Sequence, residues 1–498
     1  MKTINAKNAD GLRRTEAELK YNNEIMKKIE AGSSCSVLGL GISNLPLIDF
    51  LIQNGAKKIT ARDKKSREEL GQTALSLEEA GVRLITGEKY LDGIDEDIIF
   101  LSPGIRPDAG SIPQALSHGA ELTSEMELFM ELTDSSVFAV TGSDGKTTTT
   151  TLAYLFLKAA AEKKGKGRVY VGGNIGSPLL PHVAEMTEDD FSVLELSSFQ
   201  LMTLKSPPLR AAITNISPNH LNWHTGMEEY IEAKRNICGK GTRLLVLNAD
   251  NEITAAMAPD AGCEVVFFSS SKKSYGEFPV KGISGARAIF IKECEIVISD
   301  GITEEVLLDA EKIKLPGKHN VENYMTAMAL TYGLVPKEIY TEIALSFGGV
   351  EHRLEFVRTL DSVDYYNSSI DSSPTRTAAA LSALKTKPVV ICGGYDKKIP
   401  FEPLAVSLCK YAETVVLTGA TAEKIKKAIL ECPDYRPEML GIIECPDFDG
   451  AVTAARRAAH SGGTVLLSPA CASFDAFRNF EERGKRFKEI VNSWTPEK

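Results

Sequence analysis

The sequence predicts an α/β protein of three domains, on three observations. Short apolar runs alternate with helical patterns along most of the chain. Most runs are continuous rather than alternating, as parallel strands covered on both faces require. The 498 residues, at about 150 per domain, suffice for three cores. In order, the strands read as SVLGL (36–40), KITAR (58–62), DIIFLS (97–102), SVFAV (136–140), FSVLEL (191–196), RLLVLN (243–248), PVVIC (388–392), TVVLTG (414–419) and TVLLSP (464–469). Segments such as 423–431 and 449–460 read as amphipathic helices, so the class is α/β with several doubly wound units. Boundaries fall near 123–125, before the strand leading into TGSDGKT, and near 348–349, where a helix ends and a new strand series begins. The expected domains are 1–124, 125–349 and 350–498.

Composition narrows the function. Hydrophobic residues make up 43% and charged residues 25%, and 57 Lys plus Arg against 67 Asp plus Glu gives a net charge of −10. A net-acidic chain with no basic block argues against nucleic-acid or anionic-membrane partners. Anionic small ligands remain open, because a helix N-terminus and one or two Lys can hold a phosphate. No apolar run approaches the ~18–20 residues of a membrane span, and residues 1–20 do not read as a signal peptide. The nine cysteines are scattered with no C-x-x-C, which fits reduced thiols and a cytoplasmic location.

In the first unit, strand 36–40 runs into Gly39-Leu40-Gly41-Ile42-Ser43-Asn44 and an apolar helix, and Asp63 ends the next strand. This is half a dinucleotide fingerprint, with Asn44 where a third Gly belongs; an ordinary tight βα turn is the equal alternative. Ser102-Pro103-Gly104 supplies another turn at the same sheet edge.

In the second, Thr141-Gly142-Ser143-Asp144-Gly145-Lys146-Thr147-Thr148 lies between a buried strand and a helix. Backbone N–H groups and the helix dipole suit an anion there; Lys146 would neutralise terminal phosphates and the Thr147 hydroxyl ligate Mg²⁺. It is not a standard Walker A, since Val140 occupies the first Gly position. Glu195 ends the strand FSVLEL as a candidate Mg²⁺ ligand, with a capping carboxylate as the alternative. Asn174 lies on the Gly-rich turn 172–176 with a phosphate-facing role in view. His220 and His224 have i, i+4 spacing, but Leu221 follows His220 and no third ligand is evident, so a zinc protease is rejected; a His at a Mg²⁺ site or a structural His remains.

TGSDGKTTT, GGNIG, ELSSFQL, NISPNHL, EYIEAKRNI, LPGKHNVEN, EHRLEF and SPACASFDAFRNFEERG occur in that order, and together they resemble the Mur ligases over residues 37–491. The stretch 468–484 and the N-terminal Gly-x-Gly unit resemble the D-glutamate-adding member. The resemblance implies a Rossmann-like N-terminal domain holding a uridine diphosphate and a central P-loop ATPase-like domain on a parallel sheet. A Rossmann-like C-terminal domain would bring the amino acid and cover ATP.

It also implies roles. Gly142, Ser143, Asp144, Gly145, Lys146, Thr147 and Thr148 would bind ATP, with Asn320, Asn323 and the phosphate-clamping Arg353. Thr147, Glu195, His220 and Lys234 would serve Mg²⁺, Lys234 as a carbamate, and Asn174 would face phosphate. Catalysis would rest on Lys146, Lys234, His220 and Asn174. Ser43, Asn44, Asp63, Ser102 and Gly104 would hold UDP-N-acetylmuramoyl-L-alanine, and Ser372, Lys397, Ser473 and the backbone near Phe480 would hold D-glutamate. The expected enzyme is a monomer that forms an amide through an acyl phosphate, releasing ADP and phosphate in peptidoglycan synthesis.

Three positions depart from the family pattern: Asn219 and Asn222 stand where Asp is frequent, and Ser368 stands where a nucleotide-contacting Asp is common, with Asp371 three residues on. Competing readings are another Mur ligase, a folylpolyglutamate-synthase-type ligase and a non-catalytic nucleotide-binding regulator. Against the second, about 140 residues precede the loop; the diaminopimelate- or lysine-adding Mur ligases carry an Asp-Asn-Pro-Arg motif that is absent here.

Overall fold

Each of the nine apolar runs folds as a strand, with no end shifted by more than two residues. The structure, a computed structural model, describes residues 23–221, 223–315, 317–384, 386–397 and 399–496, so Asn222 lies outside the described residues. Its strands fall in three sheets of five, nine and six. Contacts divide the chain into two compact units: Met1–Ser143 with Lys164–Leu245 and Pro259–Glu264, and Asp144–Lys163 with Val246–Ala258 and Val265–Lys498. Among the described residues no helix is long and apolar enough to cross a membrane.

In the first unit, β1 (Cys35–Leu38), β2 (Ile59–Asp63), β3 (Arg83–Thr86), β4 (Ile98–Leu101) and β5 (Glu121–Thr123) form an all-parallel sheet in the order β3-β2-β1-β4-β5. β1 and β4 are buried at every position, which explains their unbroken apolar sequences. The order reverses between β1 and β4, the place where open α/β sheets leave a crevice for ligands. Arg62 is a buried cation on β2; it donates to the carbonyls of Tyr90, Asp92 and Gly93 and faces Glu96 at 3.3 Å, so its charge is fully partnered. The same unit carries β6 (Ser136–Thr141), β7 (Val169–Gly173), β8 (Phe191–Glu195) and β9 (Arg210–Ile213), parallel in the order β9-β6-β8-β7.

β10 (Leu244–Asn248) follows, and the second unit then adds β11 (Glu264–Ser269), β12 (Arg287–Lys292), β13 (Glu295–Ser299) and β14 (Glu304–Asp309). β6 to β9 and the β11–β12 pair are parallel, as the expected central sheet requires, and an antiparallel extension of β12, β13 and β14 is added to it. The reason for the extension is loop length. Only residues 293–294 join β12 to β13, with Glu293 at φ 57, and a two-residue link cannot make the crossover that parallel strands need.

The C-terminal sheet contains β15 (Glu355–Leu360), β16 (Val363–Asn367), β17 (Val389–Cys392), β18 (Thr414–Leu417), β19 (Gly441–Glu444) and β20 (Thr464–Leu467), ordered β15-β16-β20-β17-β18-β19. β15 alone is antiparallel, joined to β16 through Asp361 and Ser362, both at positive φ as a tight hairpin demands. Successive residues of β17 point to opposite faces: Val390 and Cys392 pack with Leu404, Leu408, Ile425 and Ile429, while Val389 and Ile391 pack with Val452, Ala455, Phe487 and Val491. Helices Glu402–Tyr411 and Ala422–Leu430 thus cover one face, and Phe448–Ala458 and Phe480–Ser493 the other. This is the doubly wound arrangement that continuous apolar strands require.

Candidate active site

Strand register assembles the first half of the site. Glu195 on β8 stands opposite Val140 on β6 and opposite Gly173 on β7, and Ile213 on β9 stands opposite Thr141. Gly142, Glu195, Asn174 and the segment after Ile213 therefore emerge together at the carboxyl edge of one parallel sheet, where α/β ligands bind. Ser143 is fixed there: its hydroxyl lies 2.9 Å from the Tyr230 hydroxyl, donates to Ser217 O at 2.9 Å and accepts the Ser217 N–H.

Lys234 lies on helix Met227–Arg235 and is 1% exposed. Its Nζ donates to Gly142 O at 2.8 Å and to Thr141 Oγ1 at 3.3 Å, and sits 4.7 Å from the Tyr230 ring centre. A surface lysine is thereby excluded; this amine is buried against the loop. Oε1 of Glu195 accepts from Asn174 Nδ2 at 2.8 Å, while Oε2 is buried with no partner among the described residues. A carboxylate oxygen left in that state fits a cation, and Glu195 fits Mg²⁺ by its oxygen chemistry. Among the described residues no group of three or more His, Cys, Asp or Glu could hold a metal ion.

His220 and His224 part company. His220 is exposed at φ 55 and rests edge-on to Phe199 at 5.0 Å. His224 is buried, with Nε2 2.9 Å from Ser198 Oγ and Nδ1 3.1 Å from Glu229. Glu229 also takes both Arg106 Nη groups at 3.0 Å, and this guanidinium holds its carboxyl down to about 2. Burial lowers the His224 pKa, so His224 is a structural brace for the segment after β9. Sequence reading missed Arg106 and Glu229; they are 123 residues apart and no local pattern joins them.

In the second unit the loop passes through Asp144 and Gly145 into helix Lys146–Lys164. Gly145 has φ 79, and a Cβ there would lie 2.4 Å from Asn323 Oδ1, so the position admits only glycine. Lys146 and Thr147 open the helix half-buried, at the positive end of its dipole, and Thr148 is buried. Asn323 accepts from Thr149 Oγ1 at 3.2 Å and donates to Asn320 Oδ1 at 3.2 Å. The structure places both asparagines as buried supports beneath the loop.

The C-terminal residues form a second cluster. Exposed Lys397 donates to Ser372 O and Oγ, each at 3.2 Å, bringing two expected amino-acid-binding residues together. Ser473 is buried in a turn that closes on its carbonyl, and the backbone of Phe480 uses its carbonyl to accept from Ser369 Oγ at 2.8 Å. Arg483 ties these loops: buried, it donates to Ser369 O, Cys471 O and Ala472 O at 2.8, 3.1 and 3.2 Å. Asp371 accepts from Ser468 Oγ at 2.8 Å, with burial raising its pKa, and Ser368 Oγ accepts from Leu354 N. Half-buried Arg353 follows His352, whose ring packs so closely on Gly484 that a Cβ there would lie 2.1 Å from Nδ1.

At the N-terminal sheet, Asn44 does not stand in for a ligand-facing glycine. It is buried, and its Nδ2 donates to Leu38 O and Gly39 O, bracing its own turn. Asp63 accepts from Leu40 N at 2.7 Å and Lys65 N at 2.8 Å, so part of its hydrogen-bonding capacity is spent on backbone. Ser43, Asn44 and Ser102 do line one cleft, with Glu125, Phe199 and Gln200; Gly104 is exposed on the following turn. Glu125 was not foreseen. It is 5% exposed, Oε1 has no partner among the described residues, and burial pushes its carboxyl up to about 7. No sequence signal separates it from the capping acids that open many helices.

Comparison with known proteins follows the same lines. Residues 140–331 match the Mur ligase middle domain, and 352–471 match the Mur ligase glutamate ligase domain. The UDP-N-acetylmuramoylalanine–D-glutamate ligase of Acetivibrio thermocellus is 45% identical over 476 residues, 95% of this chain and 98% of that protein. That of Clostridium kluyveri is 46% identical over 477 residues, 95% of this chain and 100% of the other. Among solved structures, the UDP-N-acetylmuramate–alanine ligase of Thermotoga maritima aligns with a TM-score of 0.51 at 18% identity, covering 93% of this chain and 99% of that one. A MurF from Acinetobacter baumannii aligns at 0.53 and 16%, covering 92% of each, so both share the fold. Near-half identity along almost the whole length leaves one conclusion: the chain belongs to the Mur ligase family.

Proposed function

We propose that this protein is an ATP-dependent carboxylate–amine ligase that joins D-glutamate to UDP-N-acetylmuramoyl-L-alanine in cytoplasmic peptidoglycan synthesis, working as a monomer. The observation that carries the reading is the strand that ends at Thr141 and runs into a glycine turn next to Glu195, whose Oε2 has no partner among the described residues; Lys146 opens the helix that follows in sequence. The identity to D-glutamate ligases selects the substrates.

A carboxylate is a poor electrophile, so the chemistry needs its phosphorylation before an amine can displace phosphate. The protein's task is to position and to neutralise. Lys146 and the helix N-terminus hold the terminal phosphates, and Arg353 clamps the transferring group. Glu195 and Thr147 provide oxygens and His220 a ring nitrogen for Mg²⁺, which when bound would offset developing charge. Asn174 keeps Glu195 oriented and presents its amide at the same edge. Lys397, Ser372 and Ser473 receive the amino acid's carboxylates, leaving its amine to attack. Ser43, Asp63, Ser102 and Gly104 take the nucleotide end of the other substrate.

Lys234 is proposed to work as a carbamate. Addition of CO₂ turns +1 into −1 and gives the buried position oxygens instead of an ammonium. Incubation with ¹³CO₂ should yield a carbamate resonance that Lys234→Ala lacks, and short carboxylates should restore part of that variant's activity. A wild-type spectrum without the resonance would remove the carbamate. The function itself is tested by phosphate release from ATP. Release should require both UDP-N-acetylmuramoyl-L-alanine and D-glutamate, fail with other amino acids, and vanish in a folded Lys146→Ala. Nucleotide binding without turnover would favour a regulator instead.

A further inference from the structure

Cys238 and Cys263 are both thiols and both half-buried, and their sulfurs lie 3.9 Å apart. They belong to none of the ligand-facing groups above. Cys238 is tied to the helix that carries Lys234: its N–H donates to Arg235 O, and the neighbouring Ile237 N–H donates to Lys234 O at 3.2 Å. Cys263 immediately precedes β11. Either sulfur can donate in this contact, Cys238 Sγ also donates to Ala261 O at 3.5 Å, and the hydrogen bond with Cys263 lowers the Cys238 pKa.

We infer that Cys238 and Cys263 form a peroxide-oxidisable dithiol whose disulfide restrains the end of the Lys234 helix and lowers turnover. The chemistry closes with hydrogen peroxide as oxidant. The Cys238 thiolate attacks one peroxide oxygen, the O–O bond breaks, and hydroxide leaves to give a sulfenic acid. Cys263 sulfur then attacks the Cys238 sulfur, the S–O bond breaks, and water departs. Two thiols lose two electrons and two protons, and one peroxide becomes two waters. A dithiol reductant reverses the step.

Bond formation must shorten the sulfur separation from 3.9 Å to about 2 Å. One end of that bond, residue 238, lies four positions beyond Lys234, whose amine is held to Gly142 O at 2.8 Å. A lysine placed that closely against the loop is sensitive to movement of its helix.

The consequence for turnover rests on the proposed ligase activity; the cross-link does not. The full chain is treated with graded hydrogen peroxide, mapped as non-reduced peptides by mass spectrometry, and assayed in parallel. The 238–263 linkage should be the first disulfide to form. The kcat should fall about fivefold or more, a typical coupling size, and return with dithiothreitol. Cys263→Ser should keep its reduced activity, form no such link and be spared the reversible loss. Prior formation of another pair, such as the neighbouring Cys409 and Cys432, would overturn the inference, as would a formed 238–263 link with unchanged kcat. If the reduced protein shows no ligase turnover, the functional reading fails separately; hydrogen exchange across Met227–Arg235 then decides, with slowed exchange on oxidation supporting the restraint and unchanged exchange overturning it.

Discussion

Glu125 shows what burial does to a single side chain. Its carboxyl ionises near 4.5 in an ordinary setting and near 7 here. Between those values the folded state keeps a proton that the unfolded state has lost. Stability therefore falls as pH rises through that window, by about 3 kcal/mol, and levels off above it. Glu125→Gln should remove the decline, read as denaturant unfolding at pH 5 and pH 8; equal slopes in both proteins would refute the assignment. Lys397 carries a different kind of expectation. A charge-assisted bond is worth about 1.5–3 kcal/mol, so Lys397→Ala should raise the KM for D-glutamate roughly 10- to 150-fold. The KM for ATP should move much less, and a joint rise would place Lys397 outside the amino-acid site.

Among the elements, helix Phe480–Ser493 depends on a cation that no helical pattern explains. Arg483 sits on its buried face and satisfies three backbone carbonyls of two loops, although desolvation lowers its pKa to about 10. Arg483→Met removes the donor to Ser369 O and Cys471 O, at about 1–3 kcal/mol each before relaxation, while Ala472 O keeps the Tyr395 N–H. Thermal unfolding should show a clear loss, and D-glutamate affinity should fall with it because the Ser369 and Cys471 loops adjoin Ser372 and Ser473. Unchanged unfolding would mean that water replaces the guanidinium.

The same scale shows what could be read in advance. Continuous apolar runs such as Val389–Cys392 were legible because both faces are covered. β11 is equally apolar and was passed over. β3 and β19 escaped because neither is fully buried, and the β12–β13 and β15–β16 hairpins escaped because Glu293, Asp361 and Ser362 replace the Asn-Gly signal. The loop residues were legible because spacing between strand and helix carries their meaning. Glu125 and the Arg106–Glu229 pair were not, since burial and long-range contact alone define them.

For the whole molecule, the proposal of two ligand classes at different sheets gives a separable expectation. A ligand that binds only the folded chain stabilises it by about 2.7 kcal/mol at 100 times its Kd. ATP analogue and UDP-sugar should each raise the Tm, and Gly145→Ala should abolish the first shift while sparing the second. Loss of both would show that the substitution disrupts more than the loop. The net charge of −10 does not oppose such anionic ligands, because in the proposed site the local fields would come from Lys146, Arg353 and helix N-termini rather than from the sum.

The close approach of His352 to Gly484 has a genetic reading. The two residues are 132 positions apart in the chain yet share one volume, so any side chain at 484 must be accommodated by a smaller one at 352. Loss-of-function alleles at 484 should therefore find their intragenic suppressors at 352. Because Asn367 Nδ2 bonds both His352 Nδ1 and Gly484 O, suppression should itself depend on the residue at 367. Three distant codons would then be inherited as one unit of fitness.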